Sequence, residues 1–321
     1  DFHKSSAFFH IPHVGKLPYL SIIILKKRNM DRKKFIKSAL LTGAVGAIAP
    51  HILKAETKQN LKSTYDKLMH QVGFNHLPNK EVKTMNTVIH KAETRGHANH
   101  GWLNSHHTFS FANYHNPERM NFGVLKVLND DRVMAGQGFG THPHDNMEII
   151  SIPLEGDLEH KDSMGNVAVI REGDVQVMSA GTGITHSEYN KNKDQEVKFL
   201  QIWIFPKVRN VTPRYDQISI RDIKKENEFY QVLSPNKDDQ GVWANQDAWF
   251  HLGDFTKGKS DEYKIKKEGN GIYAFVLEGD VEIEGEQLNK RDGIGIWDTS
   301  SIKVQANENA RVLLMEIPMS I

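Results

Sequence analysis

The feature that most restricts this chain is a short phrase written twice. Leu154-Glu155-Gly156-Asp157-Leu158-Glu159 returns as Leu277-Glu278-Gly279-Asp280-Val281-Glu282. Each copy is followed by a second matched element, Arg171-Glu172-Gly173 and then Arg291-Asp292-Gly293. The glycines lie 17 residues apart in the first copy and 14 in the second. Glycine next to an acidic residue is turn chemistry, so each copy reads as a hairpin turn and then another turn between strands. Around these turns, short apolar or alternating runs recur at spacings of about 8–12 residues. They fall at 124–127, 148–153, 168–170, 175–178, 199–205, 272–277, 295–297 and 312–317. This pattern predicts an all-β fold of the sandwich or barrel type, with helix a minor component. The ordered repeat predicts two β-barrels in tandem, 82–212 and 225–321, with Pro206 and Pro213 marking the link.

Charge separates the chain differently. Lys plus Arg is 41 and Asp plus Glu is 40, a net charge of +1. Residues 1–55 hold ten basic and two acidic side chains, so the positive charge sits ahead of the barrels and the remainder is acidic. That argues against a nucleic-acid binder, which needs a surplus of cations on its folded surface. Residues 1–81 read as a leader followed by a polar linker. Within it, 30–55 has the pattern of a signal peptide: a basic stretch at Arg32, Lys33, Lys34 and Lys37, then a small apolar run from Ser38 to Ala49. The run is too short for a stable membrane span, which takes about 20 apolar residues. Met30 reads as a start. Arg32-Lys33-x-Phe35-Ile36-Lys37 is similar to a twin-arginine export signal with Lys in the second place. The expectation is an exported, periplasmic protein. The alternative is a cytoplasmic protein with an amphipathic basic helix.

The chain has no cysteine. Disulfides, thiol nucleophiles and iron–sulfur clusters are excluded, and any metal must be held by nitrogen and oxygen. Seventeen histidines make that question worth following. On a strand, residues i and i+2 share a face, so His142 and His144 project together, about 6.6 Å apart at Cα. His186 and Glu188 repeat the spacing after the Gly-rich turn Gly181-Thr182-Gly183. Two such pairs on facing strands offer three imidazoles and a carboxylate. That set suits one divalent transition metal (Fe, Mn, Co, Ni, Cu or Zn) better than calcium or magnesium. Glu148 competes with Glu188 for the fourth place. On a straight strand it lies about 13 Å from His144 and would need a bend, so Glu188 is preferred and Glu148 is expected to border the barrel. Aligning the repeat on its glycines puts Ile265 and Lys267 at the places of His142 and His144. It puts Ala306 and Glu308 at those of His186 and Glu188. The second barrel is therefore expected to lack metal ligands. His97, His100, His106, His107 and His115 show no clean ligand spacing and are expected to be structural. Trp102, Phe109 and Phe111 are expected in the core.

The two histidine stretches resemble the cupin motifs. Gly136, His142, His144 and Glu148 fit the first, with Gly156 one residue late. Gly173, Gly183, His186 and Asn190 fit the second, with Ser179 where proline is usual. More specifically, residues 95–117, 142–150 (HPHDNMEII), 154–166, 173–190 and 201–217 resemble the pirin family, in its bacterial quercetinase branch. The resemblance implies a bicupin with one metal, usually Fe(II), in the N-terminal barrel. The family's ligands map onto His142, His144, His186 and Glu188. It further implies a ring-cleaving dioxygenase that opens a flavonol such as quercetin with O2 and releases carbon monoxide; a monomer is expected. In that enzyme Glu188 would be the catalytic base, and the partners would be a small aromatic substrate and O2. Two other readings of the same site are a metal-dependent, redox-sensing regulator and a different cupin activity. The leader departs from the family pattern.

Overall fold

The computed structural model describes residues 85–321. The expected leader 1–81, with its signal-like segment 30–55, lies outside the described residues. The chain runs through β1 (Asn86–His90), β2 (Gly96–Asn99), β3 (Leu103–His107), β4 (Leu125–Val133), β5 (Gly138–His144), β6 (Glu148–Glu155), β7 (Leu158–Asp162), β8 (Val167–Ile170), β9 (Asp174–Ser179), β10 (Ile184–Asn190), β11 (Val197–Ile204) and β12 (Arg214–Ser219). It continues through β13 (Phe229–Ser234), β14 (Val242–Trp243), β15 (Trp249–Phe255), β16 (Ser260–Lys264), β17 (Asn270–Glu278), β18 (Asp280–Ile283), β19 (Glu286–Asn289), β20 (Gly293–Trp297), β21 (Ser301–Ala306) and β22 (Ala310–Pro318). One 3-10 turn, Ala92–Thr94, is the helical exception among the described residues. The all-β expectation is met.

Each half has a seven-stranded and a four-stranded sheet. The first half orders them β12-β9-β6-β11-β4-β3-β2 and β5-β10-β7-β8. The second orders them β1-β20-β17-β22-β15-β13-β14 and β16-β21-β18-β19. Reading β9-β6-β11-β4-β3 against β20-β17-β22-β15-β13 gives the same path, so the repeated phrase marks a repeated topology. Gly156 and Gly279 turn the matching hairpins, both with φ of +79°. A Cβ at Gly279 would also lie 2.2 Å from the Asn309 carbonyl oxygen, so only glycine fits.

Two strands depart from the expected boundaries. β12 lies beyond residue 212, yet it extends the first half's sheet along β9. β1 lies inside the range expected for the first barrel, yet it pairs with β20 of the second, from Asn86↔Trp297 to His90↔Gly293. The physical reason is the same in both places. An unpaired strand edge exposes a row of backbone donors and acceptors, and each of these strands covers one.

The central strands are apolar on both faces, which explains their near-continuous hydrophobic runs. On β11, Leu200, Ile202 and Ile204 face outward into a core shared with Leu313, Met315 and Ile317 of β22. Each fully buried side chain of this kind contributes about 1.5–3 kcal/mol. The two large sheets thus pack back to back, and the alternate residues of the same strands line the interior of each half. Polar ties cross the junction as well. Asp130 of β4 accepts from Arg95 at 3.2 Å and from Arg291 at 3.0 Å, and Glu148 Oε2 accepts from the Asn245 backbone N–H at 3.0 Å.

The pairing registers correct the expected correspondence inside the second half. Asn190 of β10 pairs with Leu158, and Ala306 of β21 pairs with Val281, the repeat's equivalent of Leu158. Counting back along each strand matches Val304 to Glu188 and Ile302 to His186. His142 pairs with His186, whereas Tyr263 pairs with Ile302. The matching residues are therefore Tyr263 and Ile265, not Ile265 and Lys267, and Ile302 and Val304, not Ala306 and Glu308. The glycine alignment slipped on both sides: Tyr263 lies 16 residues before Gly279 where His142 lies 14 before Gly156, and the chain between Gly293 and β21 is shorter than that between Gly173 and β10.

Candidate metal centre

β10 buries every second residue: Ile184, His186, Glu188 and Asn190 point inward while the residues between are more exposed. β5 lies alongside, with His142 opposite His186. Between His186 and Glu188 the register of this pair shifts, so Glu188 meets Phe139. Such a bulge kinks the strand and re-aims side chains. Here the Gly140 carbonyl oxygen lies 2.7 Å from His142 Nδ1. A carbonyl only accepts, so His142 carries a hydrogen on Nδ1, which leaves Nε2 as the nitrogen placed to ligate.

The ligand atoms of His142, His144 and His186 all lie within 4.8 Å of one another. Their ring centroids are 4.5–4.9 Å apart. His186 is buried and the other two are partly exposed, so the cluster opens toward solvent on the β5 side. His144 Nε2 and His186 Nε2 are buried and have no hydrogen-bond partner. Orphaned buried nitrogens are costly unless something satisfies them. Burial, followed by the charge of His142, pushes the His144 pKa down to about 4. Burial and the neighbouring imidazoles push that of His186 down to about 2. Both rings are neutral near pH 7, the form that ligates metal. Three imidazoles whose ring nitrogens converge on one place fit a borderline divalent transition metal.

Glu188 lies on the same interior face, fully buried and outside the three-histidine group. Ser151 Oγ donates to its Oε1 at 3.0 Å, and Gln201 Nε2 donates to its Oε2 at 3.0 Å. Burial raises its pKa, and the nearby His160 ring and these donors offset part of the rise. Glu148 is held elsewhere: its Oε2 accepts from Ser179 Oγ at 2.7 Å and from the Asn245 N–H. It borders the barrel and ties the two halves together.

Several neighbours carry no motif of their own. His160 of β7 packs 5.3 Å from His186 and pairs across strands with Glu188. The Trp203 ring sits 4.9 Å from His144, and Phe111 sits 5.4 Å from Trp203. Phe111 is therefore an extension of the site's aromatic wall and not the core residue expected. Phe109 is core and Trp102 packs on Phe139. The one hint of His160 was the i, i+2 spacing of His160 and Asp162. Trp203 sat in an apolar run that gave no sign of which face it took. Of the other histidines, His97 stacks on His106 at 4.5 Å and His107 bonds Asn129 at 2.9 Å. None joins the three-histidine group.

The pirin family model matches residues 88–204, and a model described as the quercetinase C-terminal cupin domain matches 231–317. The chain is 44% identical over 230 residues to quercetin 2,3-dioxygenase of Escherichia coli K12, spanning 72% of this chain and 98% of that protein. This chain belongs to the pirin family. A putative quercetin 2,3-dioxygenase of Pseudomonas aeruginosa is 42% identical over 223 residues, covering 69% of this chain and 95% of its own. Among solved structures, the E. coli pirin YhhW in complex with nickel(II) superposes with a TM-score of 0.69 at 42% identity. It covers 74% of this chain and all of that one. Members of the family hold a divalent metal, and the histidine cluster here has the donors for one.

Proposed function

We propose that this protein is a metal-dependent dioxygenase that opens the ring of a flavonol such as quercetin with O2 and releases carbon monoxide. The observation that carries the reading is the pair of orphaned, buried imidazole nitrogens of His144 and His186. They face His142 beside a buried, protonatable Glu188. The relatives named quercetin 2,3-dioxygenase support the substrate class. His142, His144, His186 and Glu188 would hold the ion, Fe(II) in this reading, although the solved E. coli relative carries nickel(II).

When bound, the ion would acidify a coordinated hydroxyl and hold it in place. Glu188 is placed to take that proton. Its carboxylate is held by Ser151 and Gln201, and burial makes it a stronger base than an exposed glutamate. Trp203 and Phe111 form an apolar edge against which a flat aromatic substrate can lie. Asn190 donates to the carbonyl oxygens of Val133 and Gln195 and fixes the end of the ligand strand. Export through the leader at 30–55 belongs to the same proposal. Sequencing the mature N-terminus tests it.

The decisive experiment loads the purified protein with metal and follows quercetin absorbance together with O2 uptake and carbon monoxide release. Loss of absorbance with matching O2 uptake is expected. No bleaching at full metal occupancy would reject the flavonol reading. His144→Ala should lose both metal and turnover, and retention of metal would contradict the ligand set.

A further inference from the structure

Asp162 sits at the end of β7 and accepts from every side. Its Oδ1 takes the backbone N–H groups of Met164 at 2.9 Å and Asn166 at 3.0 Å. Its Oδ2 takes Asn166 Nδ2 at 2.8 Å and faces His160 Nε2 at 3.1 Å. Both side chains of the His160–Asp162 pair are fully buried. An ionised carboxylate has no hydrogen to give, so His160 Nε2 carries one and donates it. In neutral His160 the other nitrogen, Nδ1, is then a lone pair. His186 Nδ1 lies 3.4 Å from it, at the long end of hydrogen-bond range. Two lone pairs do not face each other at that distance without repulsion, so His186 carries its hydrogen on Nδ1. That leaves the His186 Nε2 lone pair free, and this is the atom left buried without a partner. Tyr215 holds the His160 ring from one side, 4.7 Å between centroids, with its own hydroxyl donating to Gln217 at 2.7 Å.

We propose that His160 and Asp162 form a buried positioning relay that sets the tautomer of His186, presenting Nε2 to a divalent transition metal. The inference rests on reading His186 as a metal ligand. It assigns His160 a role through His186, not contact with substrate. The relay does for His186 what the Gly140 carbonyl does for His142. The general physics is that a partner on the far ring nitrogen fixes which nitrogen ligates and how the ring is aimed.

Asp162→Asn is the informative variant because it is nearly isosteric. The two backbone N–H groups keep the amide oxygen, so the amide nitrogen turns to His160 and to Asn166, whose side-chain amide flips to accept from it. The amide nitrogen at 162 donates to His160 Nε2, the hydrogen moves to His160 Nδ1, and His186 Nδ1 must accept. His186 then carries its hydrogen on Nε2, the atom that should ligate. Two readouts test this on the full chain. Nickel(II) affinity, measured by competition with a chelator, should fall about 10–100-fold. Nitrogen-15 imidazole NMR of the metal-free protein should show His186 moving from the Nδ1–H to the Nε2–H tautomer. The double variant D162N/H160Q should restore affinity, since a glutamine amide oxygen accepts from His186 Nδ1–H whatever stands at 162. Unchanged nickel(II) affinity in D162N, or a loss without a change of tautomer, overturns the relay. Should D162N not fold, the same comparison runs through H160Q and H160L. The first should stay near wild type and the second should lose 10–100-fold, and equal affinities overturn the proposal. His144→Ala separates the two levels: if it loses metal while D162N does not, the ligand set stands and the relay alone falls.

Discussion

Across the inner face of the first large sheet, one transverse row reads His107, Asn129, Gln201, Ser151, Gln176 and Gln217. The matching row of the second sheet reads Gln231, His251, Leu314, Ala274, Ile294 and Ile89. The backbone path is the same, and from the third place on the contents turn from polar to aliphatic. In the first half Ser151 and Gln201 grip Glu188, which faces the strand bearing His160. In the second, Val304 and Ile283 replace Glu188 and His160 and pack in an apolar cluster with Ile302. The mouths differ too. Where the first half has Trp203 beside His144, the second has Glu316. That carboxylate takes Tyr263 OH, the backbone N–H groups of Lys266 and Lys267, and Asn270 Nδ2, all at 2.8–2.9 Å. Four donors on one carboxylate close that end of the barrel. Buried polar groups cost stability unless fully satisfied, whereas buried aliphatic groups add to it. Duplication thus left one copy to carry chemistry and the other to hold the fold together.

The sharpest way to test that division is to exchange the residue that defines it. Glu188→Gln keeps the shape and the Ser151 donor but removes the base. Turnover should fall about 100–10,000-fold, while thermal unfolding of the metal-free protein should be unchanged or slightly raised, because a carboxyl that burial disfavours is gone. A variant that unfolds easily would show Glu188 to be structural. The reverse exchange, Val304→Glu, should cost about 3–5 kcal/mol in denaturant unfolding, since no partner awaits the charge. A tolerated V304E would mean that the second interior is not the tight apolar filling described.

The repeated phrase and the strand spacing were enough to read the duplicated all-β architecture. The i, i+2 rule was enough to pair His142 with His144 and His186 with Glu188. These succeed because they are local: a turn glycine and a two-residue period depend on nothing distant. The rest depended on pairing partners. The correspondence of Ile302 and Val304 to the ligand positions needed the strand register, which a shorter loop had shifted. The membership of β1 in the second sheet needed to know which edge lay open. His160, Trp203 and Phe111 join the site through contacts with other strands. A doubly buried strand such as β11 shows an unbroken apolar run, which hides the direction of Trp203.

A smaller effect separates the two interiors by pH. Asp131 of β4 is fully buried and accepts from Ser105 Oγ. Burial pushes its pKa up to about 7, against an ordinary 3.8. Between those values the folded protein keeps a proton that the unfolded chain releases. Stability is therefore full below pH 4 and declines as pH rises toward 7, by up to about 4 kcal/mol from this group. Asp131→Asn should remove that part of the decline, measured as the difference in urea unfolding between pH 5 and pH 8. An unchanged slope would show that the first interior accommodates the charge at no cost.

The second interior should respond in the opposite direction and by less. His251, the counterpart of Asn129, lies beside Tyr263 at 4.8 Å with its Nδ1 buried and unpartnered. Burial, then the charge of Lys266, lowers its pKa to about 3. Below pH 6.5 the unfolded chain takes up a proton that the folded protein refuses until about pH 3. Its contribution is thus complete above pH 6.5 and drains away as pH falls. At pH 5 the loss from this residue is about 2 kcal/mol. His251→Leu should flatten the acid side of the stability profile by that amount and leave metal binding untouched, because the residue lies in the half that carries Tyr263, Ile265, Ile302 and Val304 at the ligand positions. If H251L alters nickel(II) affinity, the two interiors are coupled through the shared core, and the division of labour between them is not the clean one that their side chains describe.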